Sequence, residues 1–248
     1  MKTQHFFLVS HGSRDPRSSQ GLKQLAAEVQ THLQQNYDPH TQVWGSVLEL
    51  AEKPLHQQIE AKIHAYFTSS NPELNLNQSL SIGIFPLFLQ PGTHVLVDLP
   101  REIGLAQRHS CQLLCYPYLG AEPTIVDYIR PQLDPKYTWI CLAHGSSRPE
   151  TTDTFAQLHQ TLGTIPAYLH HPPFLPETID RLIQQGNDRL GLFPYFLFPG
   201  RLTDAIVTTV EAYKTQYPAI DWYPLPLLSQ QIGFSSLIAN LLRKNAVT

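Results

Sequence analysis

The sequence predicts an α/β protein of two tandem, similar βα-repeat lobes, each a four-stranded parallel sheet flanked by helices, with a cleft between the lobes. Three observations carry this. Short apolar runs rich in Val, Ile, Leu and Phe alternate with longer segments of 3.6-residue period, the pattern of βα units around parallel sheets. That alternation runs through four units and then through four more within 248 residues. Its punctuation also returns in order, as expected of an internal repeat. Phe7-Leu8-Val9-Ser10-His11-Gly12-Ser13 comes back as Cys141-Leu142-Ala143-His144-Gly145-Ser146, and Phe85-Pro86-Leu87-Phe88-Leu89-Gln90-Pro91-Gly92 as Phe193-Pro194-Tyr195-Phe196-Leu197-Phe198-Pro199-Gly200. Tyr116-Pro117 is answered by Tyr223-Pro224.

In the first copy the apolar runs place strands near 6–10, 43–48, 80–85 and 111–116, with helices near 16–35, 54–67, 94–108 and 122–132. The second copy places strands near 138–143, 166–169, 189–193 and 221–225, and helices near 150–161, 174–185, 201–215 and 230–243. The copies meet near Asp134-Pro135, which gives lobes 1–134 and 135–248. A polar stretch rich in Ser and Asn, Thr68 to Ser79, reads as a surface loop and accounts for the greater length of the first copy.

Composition narrows the function. Hydrophobic residues make up 42% and charged ones 15%, an ordinary globular balance. With a net charge of −3 and no Lys/Arg run, the chain has no electrostatic footprint for nucleic acid or for an anionic membrane. A polyanionic ligand would have to be held by local arginines and backbone amides. Phe6 to Val9 is too short for a signal peptide, and no apolar run approaches the roughly 18 residues of a membrane span, so a cytoplasmic protein is expected. Cys111, Cys115 and Cys141 read as reduced core residues.

The chemistry gathers where strands end. His11 follows the first strand and precedes Gly12-Ser13-Arg14-Asp15-Pro16, in which Asp15 suits an N-cap and Pro16 a first helical position. That puts it at the carboxyl edge of a parallel sheet, where ligands of open α/β sheets collect. His94 follows the third strand and its loop, so it emerges at the same edge, and Glu49 ends the second strand there. Two neutral imidazoles with a carboxylate can hold Fe²⁺, Co²⁺, Ni²⁺ or Zn²⁺ and leave positions open for exchange. Taken singly, His94 reads more readily as a plain helix-start residue, and Glu49 equally as a solvated strand end; the edge shared with His11 is what favours a role for His94. Ser13, Arg14 and Arg17 lie at a helix start suited to a carboxylate-rich ligand. In the second copy His144 answers His11, but Leu202 stands where His94 would, with Arg201 before it, and His170 or His171 falls near the place of Glu49. One histidine pair is intact. Arg148, Arg201 and His144 are candidates for binding substrate.

His11-Gly12-Ser13-Arg14-Asp15-Pro16-Arg17, Leu48-Glu49-Leu50-Ala51, and Pro86-Leu87-Phe88-Leu89 leading to Gly92-Thr93-His94 and Asp98-Leu99-Pro100, in this order and spacing, resemble the sirohydrochlorin chelatases of the CbiX type. The resemblance covers the whole chain and matches the longer, two-copy members. It implies a class II chelatase fold that inserts a divalent metal into sirohydrochlorin without ATP, feeding cobalamin or siroheme. It further implies no organic cofactor, Co²⁺ or Fe²⁺ ahead of Ni²⁺ as the metal substrate, and His11, His94 and Glu49 as metal-binding and catalytic residues. Ser13, Arg14, Phe88, Leu89, His144 and Arg201 would meet the macrocycle, with Phe196 and Leu197 as further apolar walls. A monomer would suffice, because the duplication supplies both lobes. Two other readings rest on the same residues. A histidine beside an arginine at a helix start suits a phosphatase or phosphotransfer enzyme, which needs no His94, and a two-lobed metal or tetrapyrrole binding protein would bind without turnover.

Overall fold

The structure, a computed structural model, describes residues 5–69, 80–106, 111–145 and 149–247. Among the described residues, eight strands form two four-stranded parallel sheets of identical topology. The first holds β1 (His5–Ser10), β2 (Val43–Val47), β3 (Leu80–Pro86) and β4 (Cys111–Cys115) in the order β2-β1-β3-β4. The second holds β5 (Thr138–Ala143), β6 (Ile165–Tyr168), β7 (Arg189–Pro194) and β8 (Asp221–Pro224) in the order β6-β5-β7-β8. The duplicated α/β architecture expected from the sequence is the observed one. Of the expected polar loop, Thr68 and Ser69 belong to a helix, and the rest lies outside the described residues.

Burial explains which segment becomes which strand. All six residues of β1 are buried, as a central parallel strand covered on both faces requires. Alternate residues go to opposite faces of the pleat. Phe7 and Val9 join Ile82 and Ile84 of β3 in a core closed by Leu55, Ile59 and Ile63 of α2 (Leu55–Ser69) and by Leu99 and Ile103 of α3 (Leu99–Ala106). Phe6 and Leu8 are turned the other way. α1 (Pro16–Asn36) buries Leu22, Leu25, Ala26, Val29 and Leu33, one stripe at helical spacing. The Asp15 carboxylate caps this helix by accepting the Arg17 N–H at 3.0 Å, and Pro16 opens it. In the second sheet Ile140, Leu142 and Leu192 meet Leu175, Ile179 and Leu182 of α6 (Leu175–Gln184) and Ile206 and Val210 of α7 (Arg201–Gln216).

The chain divides into two compact units that do not coincide with the two sequence copies. One comprises the chain through Ala121 together with the segment from Ile232, and the other runs from Glu122 to Gln231. The last helix of each copy is thereby exchanged. α4 (Thr124–Ile129) belongs with the second unit, where it meets α5 (Pro149–Leu162), whereas α8 (Phe234–Val247) packs on α1 and β3 of the first. Tyr37 fixes α8 in place: its hydroxyl donates to Asn240 Oδ1 at 3.2 Å, and the Arg243 guanidinium lies 4.6 Å from its ring centroid. Cys141 is buried, but Cys115, expected in the core, is exposed, because it ends β4 at the sheet edge. No described helix is long and apolar enough to cross a membrane.

At the amino end of β1 the His5 ring is buried, with 1% exposure, against Tyr66 and Trp44. Its Nδ1 accepts the Gln42 N–H at 3.1 Å, so the neutral form is the one built into the fold. Burial lowers its pKa from 6.5 to about 4, against a smaller raising effect of the Asp38 carboxylate. The unfolded chain takes up this proton as pH falls through 6.5, and the folded chain does so only near 4. Stability is therefore expected to drop across that window by on the order of 3 kcal/mol from this group alone. Denaturant titrations between pH 7 and pH 4 should show the loss, and His5→Gln should flatten it.

Candidate metal centre

The three site candidates arrive from adjacent strands. In the order β2-β1-β3, the chain leaves β1 toward β2 and returns to the other side of β1 as β3, so β1 and β3 flank the topological switch point. His11 follows β1, Glu49 lies two residues beyond the end of β2, and His94 comes after the loop from β3. Backbone bonds tie the first two loops together. Leu48 N–H donates to the Ser10 carbonyl and Glu49 N–H to the His11 carbonyl, both at 2.9 Å. Gly12 then turns with φ of 104°, and a Cβ on it would overlap the Glu49 carbonyl oxygen. Next to Glu49, Leu50 sits at φ of 58°, a left-handed conformation that costs a leucine on the order of 1 kcal/mol.

His11, Glu49 and His94 each offer a ligand atom, and these atoms all lie within 4.8 Å of one another. The two imidazole rings meet edge to face with centroids 4.4 Å apart. Divalent metals take nitrogen and oxygen ligands at about 2.0–2.2 Å, which puts ligand atoms roughly 3–4 Å apart, so small side-chain movements complete the cluster. Its tautomers follow from its partners. His11 Nδ1 faces the Gly12 carbonyl at 3.3 Å, and since a carbonyl only accepts, Nδ1 carries the proton and Nε2 the lone pair. His94 Nδ1 stands 3.0 Å from Asp98 Oδ2 and 3.3 Å from Glu49 Oε1. A carboxylate pulling on Nδ1–H fixes the ring and raises the basicity of Nε2, the arrangement that supports metal-binding imidazoles elsewhere.

Asp98 reaches His94 because residues four apart share a face of a helical turn, and the turn here is a wide one. Pro100 has no N–H, and its ring would strike the carbonyl four residues back in an α-helix. The chain widens instead: residues His94–Asp98 form a π turn, in which the Leu99 N–H bonds to the His94 carbonyl. The helix expected over 94–108 therefore starts as a π turn and continues as α3. Asp98 was not among the site residues expected from sequence, although a histidine and an aspartate four apart ahead of a proline are legible there. Beyond Asp98, Arg101 Nη2 stands 3.9 Å from its Oδ1 and 3.8 Å from Glu102 Oε1. Glu102 accepts from His56 Nδ1 at 2.8 Å. Burial pushes the Glu102 carboxyl up, but bonds and charge from His56, with the charge of Arg101, outweigh it and leave the group below its usual range.

The other candidates divide. Phe88 is half-buried with its ring 6.5 Å from His11, and Leu89 is half-buried beside it. Ser13 and Arg14 are exposed at the start of α1, and Ser13 Oγ accepts the Asp15 N–H at 3.0 Å. Arg17 is held by Asp15 through Nε at 3.0 Å and Nη2 at 2.7 Å, so it serves the helix cap rather than standing open to a ligand. Sequence reasoning also missed an apolar rim: Leu50, Leu96 and Val97, neighbours of Glu49 and His94, expose 55%, 59% and 56% of their surface. In the second unit His144 repeats the pose of His11, with Nδ1 3.0 Å from the Gly145 carbonyl. Arg201 and Leu202 are exposed at the start of α7, where Gly200 accepts the Asp204 N–H as Gly92 accepts that of Leu96, so Leu202 does occupy the place of His94. Arg148 lies outside the described residues.

Two substitutions test this geometry. Gly12→Ala is expected to destabilise the protein by about 3 kcal/mol through positive φ and overpacking, read by denaturation, and to abolish metal binding by displacing Glu49. Asp98→Ala is expected to leave the fold intact and weaken metal affinity about 10–100-fold, read by titration calorimetry.

Comparison with known proteins agrees with the duplication. The CbiX family model matches residues 5–135 and again 138–247. A sirohydrochlorin cobaltochelatase of Priestia megaterium is 20% identical over 96% of this chain and 77% of its own. Among solved structures, SirB from Bacillus subtilis with Fe³⁺ aligns with a TM-score of 0.72 and 22% identity, covering 98% of this chain and 95% of that one. The sirohydrochlorin chelatase SirB from Bacillus subtilis subspecies spizizenii, in complex with cobalt, aligns with a TM-score of 0.68 and 21% identity, covering 98% and 94%. At these identities the structures speak for a shared fold, and the family match, which spans nearly the whole chain in two passes, establishes that this chain belongs to the CbiX family.

Proposed function

We propose that this protein inserts a divalent metal, Co²⁺ or Fe²⁺, into sirohydrochlorin without ATP, with His11, His94 and Glu49 as the residues that hold the metal substrate and accept protons. The observation that carries this reading is the convergence of two imidazoles and a carboxylate within 4.8 Å at one sheet edge. The partial exposure of all three residues adds to it. A storage site would enclose its ion, whereas an insertion site has to give it up, and an open three-residue cluster leaves positions for water and for pyrrole nitrogens. Relatives that carry the name of this activity, and their recorded association with iron and cobalt, point the same way.

Each residue has a definable task. The Nε2 lone pairs of His11 and His94 bind the ion, and Asp98 keeps the His94 ring turned toward it. Glu49 adds negative charge that offsets the divalent ion. As the macrocycle takes the metal, two pyrrole N–H protons leave, and the imidazole nitrogens and Glu49 released from the ion are the bases within reach. The apolar rim of Leu50, Leu96 and Val97, with Phe88 and Leu89, offers a surface for the ring face. Ser13 and Arg14, near the start of α1, offer donors and positive charge for its peripheral carboxylates. The phosphotransfer alternative uses neither His94 nor an apolar rim.

The test mixes purified protein with sirohydrochlorin and Co²⁺, Fe²⁺ or Ni²⁺ under anaerobic conditions and follows the absorption spectrum. Insertion is expected to outpace the metal-only control with Co²⁺ or Fe²⁺. His11→Ala and His94→Ala are each expected to lower the rate about 10²–10⁴-fold. A rate equal to the control removes the chelatase reading, and full activity in either variant removes the site assignment.

A further inference from the structure

The second unit carries a pair of imidazoles of its own, and strand register identifies it. Ser10 pairs with Val47 in the first sheet, and Ala143 pairs with Tyr168 in the second. The next bond repeats as well: Leu48 N–H donates to Ser10, and Leu169 N–H to Ala143 at 3.2 Å. Two residues beyond Val47 is Glu49, and two beyond Tyr168 is His170. Of the two histidines expected near this position, His170 is therefore the counterpart of Glu49. Its ring lies beside that of His144, with centroids 4.5 Å apart, close to the 4.4 Å between His11 and His94. Both residues are exposed.

The pair is held as a ligand pair would be. His144 Nδ1–H donates to the Gly145 carbonyl, which leaves the lone pair on Nε2, as in His11. His170 sits on a short, pinned loop. The next residue, His171, stacks on Tyr168 with centroids 3.9 Å apart and donates from Nδ1 to the Pro172 carbonyl at 2.7 Å. Tyr168 N–H donates in turn to the Pro173 carbonyl at 2.9 Å. Gly145, at φ of 91°, passes so close to this loop that a Cβ on it would stand 2.8 Å from His171 Cδ2. The Nε2 of His171 is buried and has no hydrogen-bond partner, which makes it a lone pair facing this same loop junction without a donor.

We propose that His144 and His170 form a second transition-metal site, which takes one late first-row divalent ion through two imidazole nitrogens. His144, expected from sequence to meet the macrocycle, thereby acquires a different ligand. Replacing the carboxylate with a second imidazole has two consequences. The site brings no negative charge to a dipositive ion, so it binds more weakly than His11, His94 and Glu49. Its all-nitrogen donor set favours Ni²⁺, Co²⁺ and Zn²⁺ over Fe²⁺. The first unit pairs imidazoles from the β1 and β3 loops, whereas the second pairs them from β5 and β6, so the loss of a histidine at Leu202 leaves this site intact.

The experiment uses the full chain and the metal alone, so it does not depend on chelatase activity. Anaerobic titration with Co²⁺, read by calorimetry and by ligand-field absorption, is expected to show two ions per chain, one bound at least 10-fold more weakly. His144→Ala/His170→Leu should lose only the weaker ion, and His94→Ala only the tighter one. His170→Glu, which restores the first unit's residue, should keep two ions and tighten the weaker at least threefold. A single ion in the unaltered protein overturns the proposal, as does a second ion that survives the double substitution.

Discussion

The cluster of His11, Glu49 and His94 rests on the contact between two stretches of backbone, Gly12 and Glu49. The turn after β1 passes so close to the turn after β2 that only a glycine fits, and the Glu49 N–H is bonded to the His11 carbonyl. A histidine and a carboxylate from different strands are thus joined through the main chain, whose freedom is far smaller than that of their side chains. The strain at Leu50 lies on the same turn. It fits a site whose geometry is imposed by the surrounding sheet rather than chosen locally. Because the parallel sheet sets the relative height of β1 and β2, every buried residue of β1 contributes to holding this contact.

His94 depends on a different device. His94 lies at the end of a long loop, and its orientation comes from Asp98 across a turn that Pro100 forces wide. The second copy has Thr208 where the first has Pro100, and there α7 runs as a regular helix from Arg201. Loss of the histidine at Leu202 thus coincides with loss of the feature that would have oriented it. What the second copy keeps is the part encoded by backbone: the glycine at positive φ after β5, the histidine before it, and one bond between the ends of β5 and β6, from Leu169 N–H to the Ala143 carbonyl.

This division also explains what could be read in the sequence. The duplicated α/β fold was legible because βα units announce themselves through apolar runs and periodicity, and because two copies report the same pattern. The cluster of His11, Glu49 and His94 was legible because parallel strands deliver their ends to one edge. Less visible was anything set by pairing across the chain. The register that makes His170 the counterpart of Glu49 follows from hydrogen bonds between β5 and β6, and two adjacent histidines leave it open in the sequence. The bond of Asp98 to His94, 3.0 Å long, depends on the rotamers of both side chains, which the spacing of four permits without fixing. The exchange of α4 and α8 between units has no local signal, because an amphipathic helix carries the same stripe whichever sheet it covers.

That exchange bears on how two copies remain one molecule. Here α8, the last helix of the second copy, completes the face of the first sheet formed by α1 and β3, and Tyr37 bonds it through Asn240 and stacks with Arg243. The first unit is therefore incomplete without α8, a helix of the second copy. α8 brings Leu237, Ile238, Leu241 and Leu242 to this unit, all buried in the folded protein. Burial of four such side chains is worth several kcal/mol in transfer terms. The unit that carries His11, Glu49 and His94 is thus completed by a helix of the second copy, and this gives that copy a structural role in the first unit.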